Sequence, residues 1–269
     1  MPSSAEIAET LLEVASEQRL NAILILNKEK LNLAAIAKRL DTTASEIHRN
    51  LGRLQKKGLI KKSADGKYQV TLFGQIICSH IPSISLMFDN KKYFDSHSIA
   101  DLPVKFIQRI GALADSEFIN GYVNVMDRWE SVYKNAKKYI HNFLIETPYN
   151  KSLLETLESK MDNKIKIASI FSDSAVISKE RSRLLAQFDF SKFIAEGTLQ
   201  RKTKKGLKIA LVINEREAGI SFPSREGEPD LSKMLYSSDP LFHEWCLDLF
   251  NESWKTGSAF QEAKISHQS

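Results

Sequence analysis

Along the first seventy positions, apolar residues fall into helical stripes separated by polar breaks. Leu20, Ile23 and Leu24 share one face of a helix expected over Glu17–Asn27. Leu33, Ile36, Ala37 and Leu40 then recur at i, i+3, i+4 and i+7, with Asn32 placed to cap the first turn. Asp41-Thr42 interrupts the period. Thr43-Ala44-Ser45-Glu46 reads as a capping box, T-x-x-E, opening a third helix that buries Ile47, Leu51 and Leu54. Gly58 is the expected C′ residue of that helix. LIKKSADGKYQVT follows, and its Ala64-Asp65-Gly66 turn predicts a two-stranded hairpin.

Beyond Thr71 the pattern changes. LFGQIICSHI predicts a helix with Leu72, Ile76 and Ile77 on one side, serving a dimer interface, core packing or both. The polar stretch Asp89–Asp101 suggests a domain junction. Pro103–Leu113 is helical in pattern, and Tyr122–Ile145 predicts one long amphipathic helix. Its inner stripe would be Val125, Trp129, Val132, Ala136, Tyr139, Ile140 and Phe143. Helices are also expected over Lys151–Met161, Arg181–Phe188 and from Asp239-Pro240 to near Gly257. Lys164–Ile170, Thr198–Lys202, Lys208–Asn214 and Ala218–Phe222 read as strands.

Charge sharpens this division. Between Gln18 and Val70 stand twelve lysines and arginines against four acids, a net of +8. The whole chain carries only +5, so the remainder is at −3. Positive charge concentrated on a helix–helix–hairpin unit is the footprint of a nucleic-acid module, although a solvated basic face has the same composition. The third helix must bury one stripe and offer the other to the major groove. Thr43, Ser45, His48, Arg49, Arg53 and Lys56 on that helix, and Lys61, Lys62 and Lys67 on the hairpin, are the expected DNA contacts. Arg49 and Arg53 would be base readers, and the hairpin lysines phosphate contacts. His48 reads equally well as a merely exposed side chain.

The stretch LAAIAKRLDTTASEIHRNLGRLQKKGLIKKSADGKYQVT resembles the winged helices of ArsR- and MarR-type regulators along its length. Leu51, Leu54, Gly58, Leu59 and Ile60 fit their passage from recognition helix to wing. The resemblance implies binding to double-stranded DNA, commonly as a homodimer. The thiol-rich metal motif of ArsR-type sensors is absent, since no cysteine precedes Cys78. The alternative is a protein-interaction scaffold that keeps a winged helix without DNA affinity.

Residues from Leu102 to Gly257 resemble the middle domain of archaeal regulators linked to methanogenesis control. The segment GISFPSREGEPDLSKMLYSSDPLFHEWCLDLFNESW carries the likeness, with Gly227 and Asp230 in a turn and Trp245, Leu249, Phe250 and Trp254 in a closing helix. The resemblance implies an α/β domain for effector sensing or dimerisation, loosely phospholipase-D-like, and assigns no effector contact. The tryptophans read as core anchors.

Signatures of chemistry are sparse. G-x-G-x-x-G, G-x-x-x-x-G-K-[ST] and G-x-S-x-G do not occur. His243-Glu244 begins H-E-x-x-H, but Leu247 stands where the second histidine belongs. A His-x-Lys pair fails at His80, His97, His141 and His243, which are followed two positions on by Pro82, Ile99, Phe143 and Trp245. Arg201, Lys202, Lys204, Lys205 and Lys208 form a basic run suited to a solvated turn, an anionic effector or flanking DNA. No catalytic residue, cofactor or metal is therefore expected, and the chain is read as no enzyme.

The absence of a secretory signal or an apolar run of about 18 residues points to a cytoplasmic protein without a membrane partner. The two cysteines, Cys78 and Cys246, read as packed thiols. The resulting expectation is an α+β chain. A winged helix-turn-helix occupies residues 1–75, a linker or dimerisation helix 76–101, an α/β sensor-like domain 102–257 and a flexible tail 258–269.

Overall fold

The computed structural model describes residues 3–99, 102–146, 150–177, 183–184, 186–260 and 266–267. The chain is a mixed α+β protein that divides into two compact units, Met1–Ile84 and Ser85–Ser269. Among the described residues, no helix is long and apolar enough to cross a membrane.

The first unit opens with α1 (Ser4–Val14), which sequence reasoning left unassigned. Its start is nonetheless written in the chain: Ser3 and Glu6 close a reciprocal capping box. α2 (Glu17–Lys28), α3 (Leu33–Arg39) and α4 (Ala44–Lys56) follow where the apolar stripes place them. Asn32 Oδ1 accepts from the Ala35 N–H at 2.9 Å, capping α3 as expected. Between α3 and α4 the chain turns at Asp41, whose φ of 47° is left-handed. β1 (Ile60–Lys62) and β2 (Tyr68–Val70) pair antiparallel around Gly66, whose φ of 78° suits the turn. Leu31 bridges to Tyr68, tying the start of α3 to the hairpin. Ile23, Ile36, Ile47, Leu51, Leu54 and Tyr68 form the centre of this unit's core.

α5 (Leu72–Asp89) starts at Thr71, whose hydroxyl accepts from the Gly74 N–H at 3.1 Å. Its buried positions in this unit are Gly74 and Cys78, whereas Leu72, Phe73 and Ile76 face solvent. The division between the units falls within this helix.

In the second unit, α6 (Lys91–Phe94), α7 (Val104–Gln108) and a 3-10 turn (Ile110–Leu113) precede the sheet. The segment expected as a linker is thus not uniform, because Tyr93 and His97 are buried inside this unit. β3 (Glu117–Asn120), α8 (Tyr122–Asn135) and β4 (Tyr139–Glu146) follow. The single helix expected over Tyr122–Ile145 is corrected here, since it ends at Asn135 and its last third is strand. β4 lies between two other strands and is buried on both faces. Its near-continuous apolar run therefore extends the helical stripe by coincidence.

α9 (Lys151–Asp162), β5 (Lys166–Ile177), α10 (Ser191–Ala195), β6 (Leu199–Lys204), β7 (Ala210–Ile213), β8 (Ala218–Ser221), β9 (Lys233–Ser237) and α11 (Pro240–Thr256) complete the main body. Parts of the expected Arg181–Phe188 helix, namely residues 181, 182 and 185, lie outside the described residues. The sheet order is β10-β6-β5-β4-β7-β8-β9-β3, with β10 (Ser258–Ala259) on β6 and β11 (Ser266–His267) on β5. Backbone pairing thus reaches into the stretch expected to be a flexible tail. β4, β5 and β6 are parallel, and the remaining ladder from β4 to β3 is antiparallel. α11 covers one face, where Phe250 stacks on His141 at 4.3 Å. α8 covers the other, where Arg128 sits 4.3 Å over the Tyr236 ring. Trp129 and Trp245 are both buried, and the Trp245 indole donates to the Phe106 carbonyl at 3.1 Å.

Candidate nucleic-acid interface

α4 is amphipathic in the sense a recognition helix requires. Ile47, Asn50, Leu51 and Leu54 are buried, while Ser45, His48, Arg49, Gly52 and Lys56 are exposed along the opposite side. Thr43 caps the helix by accepting from the Glu46 N–H at 3.2 Å. The box is only half of the expected kind, because the Glu46 carboxylate accepts from the Thr42 hydroxyl at 2.7 Å. That bond, with a second from Gln18, holds the Glu46 carboxyl below its usual range. Gly58 ends the helix with a φ of 71°, a conformation that favours glycine.

The open face includes a residue that sequence reasoning missed. A side chain added at Gly52 would meet nothing within 4 Å, so this glycine leaves the middle of the exposed stripe flat. An apolar stripe search passes over a glycine, although its spacing from Ser45, Arg49 and Lys56 could have marked it.

Arg53 is placed differently from Arg49. Its guanidinium donates to both oxygens of Glu13 on α1, each at 2.8 Å. The same carboxylate lies 3.1 Å from Arg19 Nε. Hydrogen bonding from Arg53 holds the Glu13 carboxyl below its usual range. One turn further on, Lys57 pairs with Glu9 at 2.7 Å. In this conformation two of the donors expected to read bases, Arg53 Nε and Nη2, are engaged by Glu13 within the first unit, while the side chain remains half exposed. Buried Asn50 is likewise engaged, donating to Gln18 Oε1 at 2.7 Å.

The hairpin presents Lys61, Lys62 and Lys67, all exposed. Lys62 lies 5.5 Å over the Tyr68 ring and Lys67 sits 3.8 Å from Asp65, neither of which buries the ammonium group.

The basic run of the second unit is divided by the strand alternation of β6. Lys202 donates to the Trp254 carbonyl at 2.7 Å and Lys204 to the Ser253 hydroxyl at 2.9 Å, both at the C-terminal end of α11. These cations meet a helix end whose carbonyls are unsatisfied and partially negative. Arg201, on the opposite face, lies 4.3 Å over the Phe260 ring. The run is therefore largely structural rather than a free basic turn.

No known family matches the chain, and no curated protein sequence matches it. Among solved structures it is similar to TrmBL2, an archaeal chromatin protein, at 14% identity and a TM-score of 0.43, over 96% of this chain and 100% of that one. Reduced HlyU from Vibrio cholerae is similar at 23% identity and a TM-score of 0.26, over 34% of this chain and 92% of that one. The O-methyltransferase NcsB1 of neocarzinostatin biosynthesis is similar at 12% identity and a TM-score of 0.22, over 76% of this chain and 65% of that one. At these TM-scores none of the likenesses assigns a family or an activity. The expectation that the chain is no enzyme is corrected nonetheless. Several methyltransferase structures stand among its neighbours, so that exclusion is not carried forward.

Proposed function

We propose that the chain is a sequence-specific regulator of transcription that binds double-stranded DNA as a homodimer. In this reading α4 enters the major groove, with Arg49 reading a base edge and Ser45, His48 and Lys56 beside it. Thr43 at the N-terminus of α4 and Lys61, Lys62 and Lys67 on the hairpin meet phosphates. Arg53 positions α4 through Glu13 rather than reading sequence.

The observation that carries the reading is the open, capped face of α4, polar along its length and flanked by exposed hairpin lysines. The dimer is supported by apolar side chains left open on the first unit: Leu11 and Leu12 on α1, and Leu72, Phe73 and Ile76 on α5. A second copy laid against them would remove that surface from water. The second unit is assigned the sensing or oligomerising role, loosely like phospholipase-D-like sensor domains. Its three parallel strands support this, since in open sheets of parallel strands ligands commonly bind outside the carboxyl ends of the strands.

Fluorescence-anisotropy titration of the full chain with genomic fragments, including its own upstream region, tests the proposal. A specific complex is expected, with log K falling linearly against log salt. Lys62→Ala should weaken all sequences alike and make the slope shallower by about 0.9. Absence of binding at the lowest salt would sink the reading.

A further inference from the structure

Between the end of α8, α9 and the β7–β8 turn lies a cavity of about 800 Å³, lined by Lys134, Asn135, Lys137, Lys160, Arg216, Glu217, Tyr236 and Ser238. Its volume is within the range of small-molecule sites, about 300–1,000 Å³.

The charges around it are unevenly committed. Lys134 is held by Glu130 at 2.7 Å. Lys160 donates to the main-chain carbonyls of Lys134 and Ala136 at 2.6 and 2.8 Å, covering the negative end of α8. The three neighbouring carboxylates are all engaged. Glu130 takes Lys134 and the Ser152 hydroxyl, and Glu215 takes the N–H groups of Lys137 and Lys138 at 3.0 and 3.1 Å. Glu217, almost wholly buried, accepts from Asn135 and Asn214 at 3.0 Å each and from the Tyr236 hydroxyl. Burial alone would raise the Glu217 carboxyl, but these hydrogen bonds outweigh it and keep its pKa below the usual range.

Two cations remain. The side chains of Lys137 and Arg216 form no hydrogen bond or ion pair among the described residues. Arg216 is held at the tip of the β7–β8 turn, because Asn214 Oδ1 accepts from the N–H groups of both Arg216 and Glu217, at 2.8 and 3.0 Å. The turn thus fixes the backbone of Arg216, and its exposed guanidinium, with the exposed Lys137 ammonium, borders a polar cavity whose acidic wall is already satisfied.

We propose that this cavity binds a small oxyanion, the phosphate or carboxylate group of a metabolite, with Arg216 and Lys137 as its charged contacts. A planar fork takes two oxygens of such a group at once, and the ammonium balances its charge. Ser238, exposed on the same lining, can meet a polar group on the rest of the ligand. The inference deepens the sensing role assigned to the second unit and rests on that reading for its regulatory meaning.

Isothermal titration of the full chain with inorganic phosphate and, separately, with citrate tests it and distinguishes the two sources of oxyanion. Saturable binding of at least one is expected, weakened about tenfold or more in the Arg216→Ala/Lys137→Ala variant at unchanged melting temperature. Arg216→Lys should recover part of the loss. Lack of saturable binding by both anions overturns the proposal, as does equal binding by the double variant. Loss of DNA affinity in the double variant, with no anion bound by the parent chain, would overturn it in favour of a backbone contact. A normal anion isotherm in a protein that binds no DNA would instead remove only the reading of the first unit.

Discussion

Arg53 on α4 and Glu13 on α1 are joined by two parallel hydrogen bonds of 2.8 Å each. The pair spans forty residues of sequence and ties α1 to the flank of α4. It separates two arginines that look equivalent in the sequence, since Arg49 projects from the open face and Arg53 is occupied.

The two should therefore behave differently on substitution. Arg49→Ala is expected to relax sequence preference and cost about 1–3 kcal/mol of specific binding. Arg53→Ala should lower the melting temperature and weaken all DNA sequences together, as should Glu13→Gln. Anisotropy titrations against specific and scrambled duplexes, with thermal melts alongside, compare them. Identical profiles for Arg49→Ala and Arg53→Ala would remove the distinction.

Gly74 on α5 lies against the backbone of Leu59, between α4 and β1. A methyl group there would overlap the Leu59 carbonyl oxygen, which is backbone and cannot swing away. Gly74→Ala should therefore destabilise the first unit by about 1–3 kcal/mol despite its better helix propensity. Gly52→Ala, with open space around it, should raise stability by about 0.5–1 kcal/mol. Urea unfolding of both variants decides, and a stabilising Gly74→Ala would contradict the packing described.

His141 stacks between Tyr139 and Phe250, and its buried Nδ1 has no hydrogen-bond partner. Burial, with His243 nearby, depresses its pKa from 6.5 to about 4. A base depressed on folding takes up its proton more readily when unfolded, so stability is full above pH 6.5 and declines as pH falls towards 4. The shift corresponds to a loss on the order of 3 kcal/mol. His141→Phe should flatten the pH dependence of stability in that window, read from denaturant midpoints. An unchanged slope would mean that His141 does not titrate there.

Asp230 closes a second long-range contact, its carboxylate 2.9 Å from His97 Nε2. Burial opposes ionisation of Asp230, but bonds from Ser232 and His97 overcome it and lower its pKa. A carboxyl group lowered on folding contributes stability above its unfolded value, near 3.8, and loses that contribution as pH falls through the folded value. Asp230→Asn should thus melt below the parent protein near neutral pH, with the gap narrowing in acid. A gap independent of pH would show that the charge is not what stabilises the turn.

α3 and α4 of the first unit were legible because each carries its own instructions, whereas α1 was passed over despite its Ser3–Glu6 capping box. Asn32, Thr43 and Gly58 are caps acting within one turn, and the stripe of Ile47, Leu51 and Leu54 needs only the helical period to be read. β4 was not legible in the same way. A strand buried on both faces has no alternation, so Tyr139, Ile140 and Phe143 extended the stripe of the preceding helix.

What the amino-acid sequence by itself determined is therefore local: capped helices, a hairpin turn, and a basic segment separable from the rest. Only the tertiary structure decided which cations are free. Arg53, Lys57, Lys202 and Lys204 are matched to acids or helix ends far away in sequence, whereas Arg49, Lys137 and Arg216 are not. The physical reason is range. A cap or an apolar stripe is satisfied by neighbours within a few residues, but a charge is satisfied by whatever the folded chain brings within hydrogen-bonding distance.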